Sequence, residues 1–275
     1  MAVATLINGS SERAISPMDR GLAYGDGLFE SIRFVGAKAP LWQRHMQRLD
    51  ESCRRLHLPA PNAAQLWNEA ISVIGDLPHA VVRITLTRGV GERGYAPPAS
   101  SSATRIVAAF AAPAVPASSY AAGVHIRFCE MRLALQPLLA GIKHLNRLEQ
   151  VLARAEWSDP AIAEGLLCDT DGRVVCATMA NVFAVIDGAL LTPSVDRCGV
   201  AGVARAEVLQ AFPQTRIRDI PLDALRGAEE IFLTSSVRGI VPVSLLGDRV
   251  YAPGTITREV QQHWHTLGFS MEQAG

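Results

Sequence analysis

A proline-containing segment near the middle of the chain, residues 112–119, separates two halves that each mix strand and helix patterns. Its two prolines and its small side chains favour an irregular linker over continued helix or strand. The 275 residues are enough for two domains of moderate size, each with a buried core. We therefore predict a smaller N-terminal α+β domain over residues 1–116 and a larger C-terminal α+β domain over residues 117–275.

Local patterns in the first half indicate both strands and a helix. Residues 81–87 alternate apolar and polar side chains, as in a half-buried strand, and residues 104–111 are typical of another strand. Apolar residues recur at helical spacing over residues 45–58, and Pro59 is expected to end that helix.

Turn signals in the second half indicate antiparallel strands. Asp171–Gly172 and Asp187–Gly188 each lie between apolar runs, and Asp-Gly pairs favour hairpins because both residues tolerate positive φ. Before them, four apolar residues at helical spacing predict the buried stripe of an amphipathic helix: Leu145, Leu148, Leu152 and Ala155. This order of elements indicates an α+β fold and not a doubly wound parallel sheet.

The composition excludes several classes of protein. The 26 Lys and Arg balance the 26 Asp and Glu, so the net charge gives no reason to expect binding to nucleic acid or to an anionic membrane. No apolar run is long enough to span a bilayer, and the N-terminus does not have the pattern of a secretory signal. The cysteines are odd in number and scattered, which argues against disulfides or a metal site and favours the cytoplasm: Cys53, Cys129, Cys168, Cys176 and Cys198.

Lys143 is one of only two lysines in the chain, the other being Lys38. It precedes the predicted amphipathic helix and lies beside apolar Ile142 and Leu145. Partial burial near a helix N-terminus would lower its pKa and make the neutral amine a nucleophile, as a Schiff-base lysine requires. From spacing alone, a solvated lysine in the first helical turn is the simpler interpretation.

Two further segments could bind an anion. Gly199 and Gly202 precede a helical pattern, and glycines there let backbone N–H groups approach a phosphate closely. The apolar run of residues 231–233 ends in the hydroxyl residues 234–236, which could also donate to a phosphate. An ordinary loop-to-helix turn and a polar strand end explain the same patterns.

Taken together, the chain resembles the fold-type IV pyridoxal-phosphate enzymes, a family that includes branched-chain and D-amino-acid transaminases. Within that family, residues 141–152 are very similar to the aminodeoxychorismate lyases and differ from the transaminases just after the lysine. The other segments that carry the resemblance are Ile7-Asn8-Gly9, Asp19-Arg20-Gly21, Tyr24-Gly25-Asp26-Gly27, His45-Met46-Gln47-Arg48-Leu49 and Asn181-Val182-Phe183. The resemblance implies a two-lobed α+β fold like that of the D-amino-acid transaminases, a small-molecule substrate and a homodimer.

The resemblance also implies roles for individual residues. Lys143 would bind pyridoxal phosphate as a Schiff base, and Arg48 would bind its phosphate, which a guanidinium can do with two hydrogen bonds. The remaining phosphate ligands would be the backbone N–H groups of Val203 and Ala204 with the hydroxyls of Ser236 and Ser235.

Substrate contacts are implied in the first half of the chain. Arg93 lies in a glycine-rich stretch and is similar to the family's loop residue that meets a substrate carboxylate, so that a mobile lid over the substrate is expected. A solvated loop arginine would give the same pattern. Phe29 stands where the D-amino-acid transaminases have a tyrosine, which argues against transaminase-style carboxylate binding.

Cys176 departs from the family pattern. It occupies the position of the glutamate that keeps the pyridine nitrogen of the cofactor protonated, and a thiol is a poor substitute. Such a change should impair a transaminase more than a lyase that releases pyruvate and forms aromatic 4-aminobenzoate. Cys176 could instead be a packed strand residue. The alternatives are a transaminase of D- or branched-chain amino acids and a non-catalytic binding protein that retains the fold.

Overall fold

The computed structural model describes residues 2–11 and 14–269. The chain divides into two units, Met1–Ala112 with Ile142–Asn146, and Pro113–Gly141 with Arg147–Gly275. The chain therefore first passes from one unit to the other after Ala112, a few residues before the predicted boundary at residue 116. The structure differs from the prediction in one respect, because the segment that carries Lys143 belongs to the N-terminal unit and not to the larger C-terminal one.

The first unit is a four-stranded antiparallel sheet with the strand order β1-β4-β3-β2, together with three helices. Its elements are β1 (Ala4–Ile7), α1 (Arg20–Tyr24), β2 (Gly27–Val35), α2 (Trp42–Leu56), α3 (Ala63–Ile74), β3 (His79–Thr87) and β4 (Thr104–Ala111). Alternate residues of β2, such as Leu28 and Ile32, pack in one core with Met46 and Leu49 of α2. The helix α2 ends at His57, which has a positive φ of 51°, two residues before Pro59.

The lysine segment joins the first unit through main-chain hydrogen bonds to β2, one of the two edge strands of the sheet. The N–H of Phe29 donates to the carbonyl of Lys143 over 3.0 Å, and the N–H of Leu145 donates to the carbonyl of Gly27 over 3.0 Å. The side chain of Ile142 is buried in the core of this unit. These long-range bonds explain the different assignment, since no local pattern around residue 143 reveals which edge strand it meets.

The second unit contains a ten-stranded sheet of mixed direction. Its elements are α4 (Ala117–Ala121), β5 (Val124–Leu133), α5 (Leu148–Arg154), β6 (Ile162–Asp169), β7 (Arg173–Ala177), β8 (Asn181–Ile186), β9 (Ala189–Thr192), α6 (Val203–Ala211), β10 (Arg216–Ile217), β11 (Ile220–Pro221), α7 (Leu222–Arg226), β12 (Glu230–Ser235), β13 (Gly239–Leu246), β14 (Arg249–Val250) and α8 (Thr255–Thr266).

Within this sheet, the pairing of β7 with β8 closes a ring of six strands, β8-β12-β13-β5-β6-β7. Both predicted hairpins are confirmed: β6 and β7 flank Asp171–Gly172, and β8 and β9 flank Asp187–Gly188. Asp187 and Gly188 both have positive φ, 52° and 69°, as the Asp-Gly pattern predicts. The α+β class is confirmed.

The prediction for α5 was wrong in two ways. The helix begins at Leu148, five residues after Lys143, so Lys143 does not lie in or beside a first helical turn. The predicted buried stripe is largely exposed, with Leu148 76% and Leu152 58% exposed and Ala155 also at the surface. Apolar spacing indicates that a helix has an apolar face, but not that this face packs within its own chain. None of the described helices is long and apolar enough to cross a membrane.

Candidate active site

The predicted site residues are distributed over both units. Phe29, Arg48, Arg93 and Lys143 lie in the first, and Cys176, Val203, Ala204, Ser235 and Ser236 lie in the second. In the first unit the structure brings Lys143 and Phe29 together. The Nζ of Lys143 lies 4.2 Å from the ring centroid of the buried Phe29, close enough for a cation–π contact.

Arg83, which was not predicted as a site residue, meets the same aromatic ring. Its guanidinium carbon lies 4.2 Å from the ring centroid of Phe29, and burial lowers the pKa of Arg83 below its ordinary value. Arg83 lies on β3, with apolar Val82 and Ile84 as its neighbours. The alternation of that strand was visible in the sequence, but the strand pairing that brings Arg83 to Phe29 was not.

Arg48 is held by a carboxylate in the core of the first unit. Its Nε donates to Glu30 Oε1 over 2.8 Å and its Nη2 donates to Glu30 Oε2 over 2.5 Å. His45 Nδ1 lies 2.6 Å from Glu30 Oε2. Glu30 and His45 are 1% and 0% exposed, so the pair is closed to solvent. The guanidinium of Arg48 is thus oriented by the protein, as a phosphate-binding arginine requires.

The charges of this group are set by burial and by pairing. Burial would raise the pKa of Glu30, but the charge of Arg48 and the hydrogen bond with His45 outweigh it and lower the pKa to about 2. Burial lowers the pKa of His45, and the positive charges of Arg48 and Lys143 lower it further. A neutral His45 therefore donates its Nδ1–H to an ionised Glu30.

Val203 and Ala204 open the nine-residue helix α6, as predicted. No side chain of the described residues caps this helix, so its first N–H groups are available to an anion. The preceding loop is held by Asn181, whose Nδ2 donates to the carbonyl of Val200 over 3.0 Å. A Cβ at Gly202 would lie 2.0 Å from Asn181 Oδ1, so only glycine permits this approach.

The same loop is paired with the residue that precedes the lysine segment. The N–H of Gly141 donates to the carbonyl of Gly199 over 3.0 Å, and the N–H of Ala201 donates to the carbonyl of Gly141 over 3.0 Å. Gly141 is two residues before Lys143 in the chain. The glycine loop is therefore linked to Gly141, within the second unit, by main-chain hydrogen bonds.

Ser235 and Ser236 lie at the end of β12, as predicted. The hydroxyl of Ser235 accepts the N–H of Arg238 over 2.9 Å and closes the turn that follows the strand. The carbonyl of Arg238 in turn accepts the hydroxyl of Tyr120 over 2.8 Å. The hydroxyl of Ser235 therefore holds the turn in which Ser236 lies.

Cys176 lies on β7 and packs with apolar residues, including Leu167, Val175 and Cys198. Burial raises the pKa of the Cys176 thiol to about 12, so the side chain is neutral at physiological pH. Glu164 is also buried in this unit, and burial raises its pKa although it accepts a hydrogen bond from the hydroxyl of Thr178. Within the described residues, no group of three or more His, Cys, Asp or Glu could hold a metal ion.

The comparison with known proteins agrees with the geometry. The model of the amino-transferase class IV family matches residues 27–246, and the chain belongs to that family. It is 33% identical to the aminodeoxychorismate lyase of Vibrio harveyi over 268 residues, which are 94% of this chain and 99% of the relative.

Solved structures give the same result. The crystal structure of 4-amino-4-deoxychorismate lyase from Pseudomonas aeruginosa is 44% identical, with a TM-score of 0.89 over 95% of this chain and 98% of that one. The branched-chain amino acid aminotransferase from Escherichia coli, 24% identical, shares the fold with a TM-score of 0.84 over 99% and 96% of the two chains. The family membership and the fold that the motifs predicted are confirmed.

Proposed function

We propose that this protein is an aminodeoxychorismate lyase, which converts 4-amino-4-deoxychorismate to 4-aminobenzoate and pyruvate with pyridoxal phosphate as cofactor. The observation that carries the proposal is the 44% identity, across 95% of this chain, to a solved lyase. A second observation supports the proposal: the amine of Lys143 is packed against the aromatic ring of Phe29. The substrate is an anionic small molecule, which suits the positive charge of Arg83 beside the same ring.

The residues of the chain fit a phosphate-bearing cofactor. Arg48 is oriented by Glu30, and the N-terminus of α6 presents the N–H groups of Val203 and Ala204 without a side-chain cap in the described structure. We propose that these groups and the hydroxyl of Ser236 bind the phosphate. When bound, pyridoxal phosphate supplies a ring that withdraws electrons from the carbon bearing the substrate amine.

Lys143 would hold the cofactor and then act as a base. Its freed amine removes the proton from the carbon that bears the substrate amine. The neighbouring ring carbon–oxygen bond breaks, the electron pair leaves with that oxygen, and the departing enolate takes up a proton on its terminal carbon to become pyruvate. Loss of this group makes the ring aromatic, which supplies much of the driving force.

The substrate carries two carboxylates, and two arginines are available to them. Arg93 is exposed on the loop between β3 and β4, and we propose that it binds one carboxylate. Arg83 shares the Phe29 ring with Lys143 and is the candidate for the other. Phe29 itself offers an apolar face and no hydroxyl.

A transaminase of D- or branched-chain amino acids is the alternative function. Such an enzyme must store a carbanion on the cofactor, which a charged partner at the pyridine nitrogen favours. If Cys176 takes that place, its thiol is neutral, with a pKa of about 12. This favours a lyase, because the developing charge passes on to the leaving group. A binding protein without catalysis would have no need for Lys143 beside Phe29.

Incubating the purified holoprotein with aminodeoxychorismate tests the proposal. We expect 4-aminobenzoate and pyruvate to form in equal amounts, without the addition of a keto acid as amino acceptor. Conversion of the cofactor to its amine form by D- or branched-chain amino acids, with no release of 4-aminobenzoate, would establish the transaminase instead.

We also propose that the protein is a homodimer of the cytoplasm. The helix α5 exposes Leu148, Val151 and Leu152 at 76%, 59% and 58%, an apolar face that a second copy would cover. All five cysteines are free, which suits a reducing compartment. Light scattering of Val151→Glu, which should shift the mass toward the monomer, tests the dimer contact. A wild-type mass of one chain would exclude it.

A further inference from the structure

The loop that carries Arg93, here called the Arg93 loop (residues 88–97), is fastened by one buried side chain, that of Arg20. Its Nη1 donates to the carbonyl of Gly94 over 2.9 Å and to that of Ala96 over 3.3 Å. Its Nη2 donates to the carbonyl of Tyr95 over 2.9 Å. One guanidinium therefore binds three successive carbonyl groups directly after Arg93.

Arg20 is itself fixed from several sides. It is 4% exposed, and its Nε donates to Asp26 over 2.9 Å. Its guanidinium carbon lies 5.0 Å from the ring centroid of Tyr24. Burial would raise the pKa of Asp26, but hydrogen bonds from Arg88 and Arg20 outweigh it and lower the pKa, so Asp26 stays ionised. The guanidinium is thus held by a charge before it reaches the loop.

The loop is also held on the other side of Arg93. The N–H of Arg20 donates to the carbonyl of Gly89 over 2.9 Å. A Cβ at Gly91 would lie 2.8 Å from Cδ of Arg20, so the stem of Arg20 packs directly on the loop backbone. After Arg93, the hydroxyl of Tyr24 also accepts a hydrogen bond from the N–H of Gly94 over 3.1 Å. Contacts on both sides of Arg93 restrain the backbone that presents its side chain.

We propose that Arg20 is a positioning residue for substrate binding, which acts through Arg93 and makes no contact with the substrate. Its donors are directed to Asp26 and to the loop carbonyls, and its side chain is buried. The Arg93 loop is therefore a preformed part of the binding surface, in place of the mobile lid expected from its glycines. The carboxylate-binding role of Arg93 rests on the proposed lyase function.

The test compares Arg20→Lys with Arg54→Lys in the holoenzyme. Lysine at position 20 keeps the charge beside Asp26 but cannot donate to all the loop carbonyls. Arg54 pairs with Glu51 at the surface of the same unit and provides the matched control. In Arg20→Lys we expect the KM for aminodeoxychorismate to rise about tenfold, as preorganisation of the binding loop is lost, while kcat changes less than about threefold.

A double-mutant cycle with Arg93→Ala separates positioning from a general structural role. If Arg20 acts through Arg93, adding Arg20→Lys to Arg93→Ala should raise KM by less than about twofold. Equal effects of Arg20→Lys in both backgrounds would overturn the inference. The melting temperature and the cofactor absorbance band of Arg20→Lys should match those of the wild type.

Limited trypsin digestion gives a second measurement that does not depend on turnover. Mass spectrometry should show faster cleavage of the Arg93–Gly94 bond in Arg20→Lys than in wild type or in Arg54→Lys. Tyr24→Phe, which removes a single hydrogen bond to the same loop, should show an intermediate rate. Unchanged cleavage in both loop variants overturns the inference. If the wild-type enzyme has no lyase activity but these variants are cleaved faster, the proposed function is refuted. The inference that Arg20 holds the Arg93 loop is then still supported.

Discussion

Replacing Glu30 with glutamine would test the buried cluster that orients Arg48. The carboxylate accepts two hydrogen bonds from Arg48 and lies 2.6 Å from Nδ1 of His45. Its pKa falls from 4.5 to about 2 in the folded protein. At about 1.36 kcal/mol for each pKa unit, the ionised group contributes ~3 kcal/mol to the free energy of unfolding at neutral pH.

The sign of this contribution fixes its pH dependence. Because the pKa of Glu30 is lower in the folded than in the unfolded chain, the stabilisation is complete above the unfolded value of 4.5 and is lost as the pH falls through about 2. At pH 3 the unfolded chain binds the proton almost fully and the folded chain binds little of it. The contribution should then have dropped to about half of its value at pH 7.

Urea unfolding of the cofactor-free protein measures this difference. Glu30→Gln should be less stable than wild type by ~3 kcal/mol at pH 7, and the gap should narrow by about half at pH 3. The same variant should bind pyridoxal phosphate more weakly, since Arg48 loses its orienting partner. Glu51→Gln, at the exposed pair with Arg54, should change neither property measurably. A Glu30→Gln protein as stable as wild type, or a gap that is independent of pH, would refute the reasoning.

Three further substitutions test the proposed site. Lys143→Ala should abolish turnover, and borohydride reduction of the wild-type holoenzyme should leave the pyridoxyl label on Lys143; a label on Lys38, or on neither lysine, would contradict the assignment. Arg48→Ala should weaken cofactor binding about ten- to a hundredfold, the value of a charge-assisted hydrogen bond, with a smaller effect on the saturated rate; unchanged affinity in an absorbance titration would exclude this role. Cys176→Glu should gain side transamination while lyase turnover changes little, whereas early melting without new transamination would show that Cys176 is only a packing residue.

The elements that local spacing could predict were those whose pattern depends on neighbours in the chain. The strand β4, Thr104–Ala111, has the predicted bounds, and the hairpin at Asp187–Gly188 has the predicted positive φ angles. The burial of α5 could not be predicted in this way. Its apolar period is real, but the surface that would cover Leu148 and Leu152 is not specified by spacing within the helix.

In the candidate site, too, some features could be predicted from the sequence and others depend on tertiary packing. Residue types with a strong chemical preference, such as Lys143 and Arg48, could be proposed as site residues from motifs. Their partners could not, because Glu30 reaches Arg48 only through the packing of β2 against α2, and Arg20 reaches the Arg93 loop across more than seventy residues. Such contacts, a buried ion pair or an arginine that donates to loop carbonyls, depend on which helices and strands pack together. The periodicity of a single sequence does not contain that information.

The main-chain hydrogen bond between Phe29 and Lys143 has a consequence for changes of specificity. Because the N–H of residue 29 supports the lysine segment, its side chain can be exchanged without removing the bond that holds Lys143 in place. Tyrosine could replace phenylalanine there, adding a hydroxyl at the aromatic ring while the backbone of the lysine segment stays where it is. In the proposed site, the chemistry would thus be anchored through the backbone, and the choice of substrate would depend on side chains of the same strand.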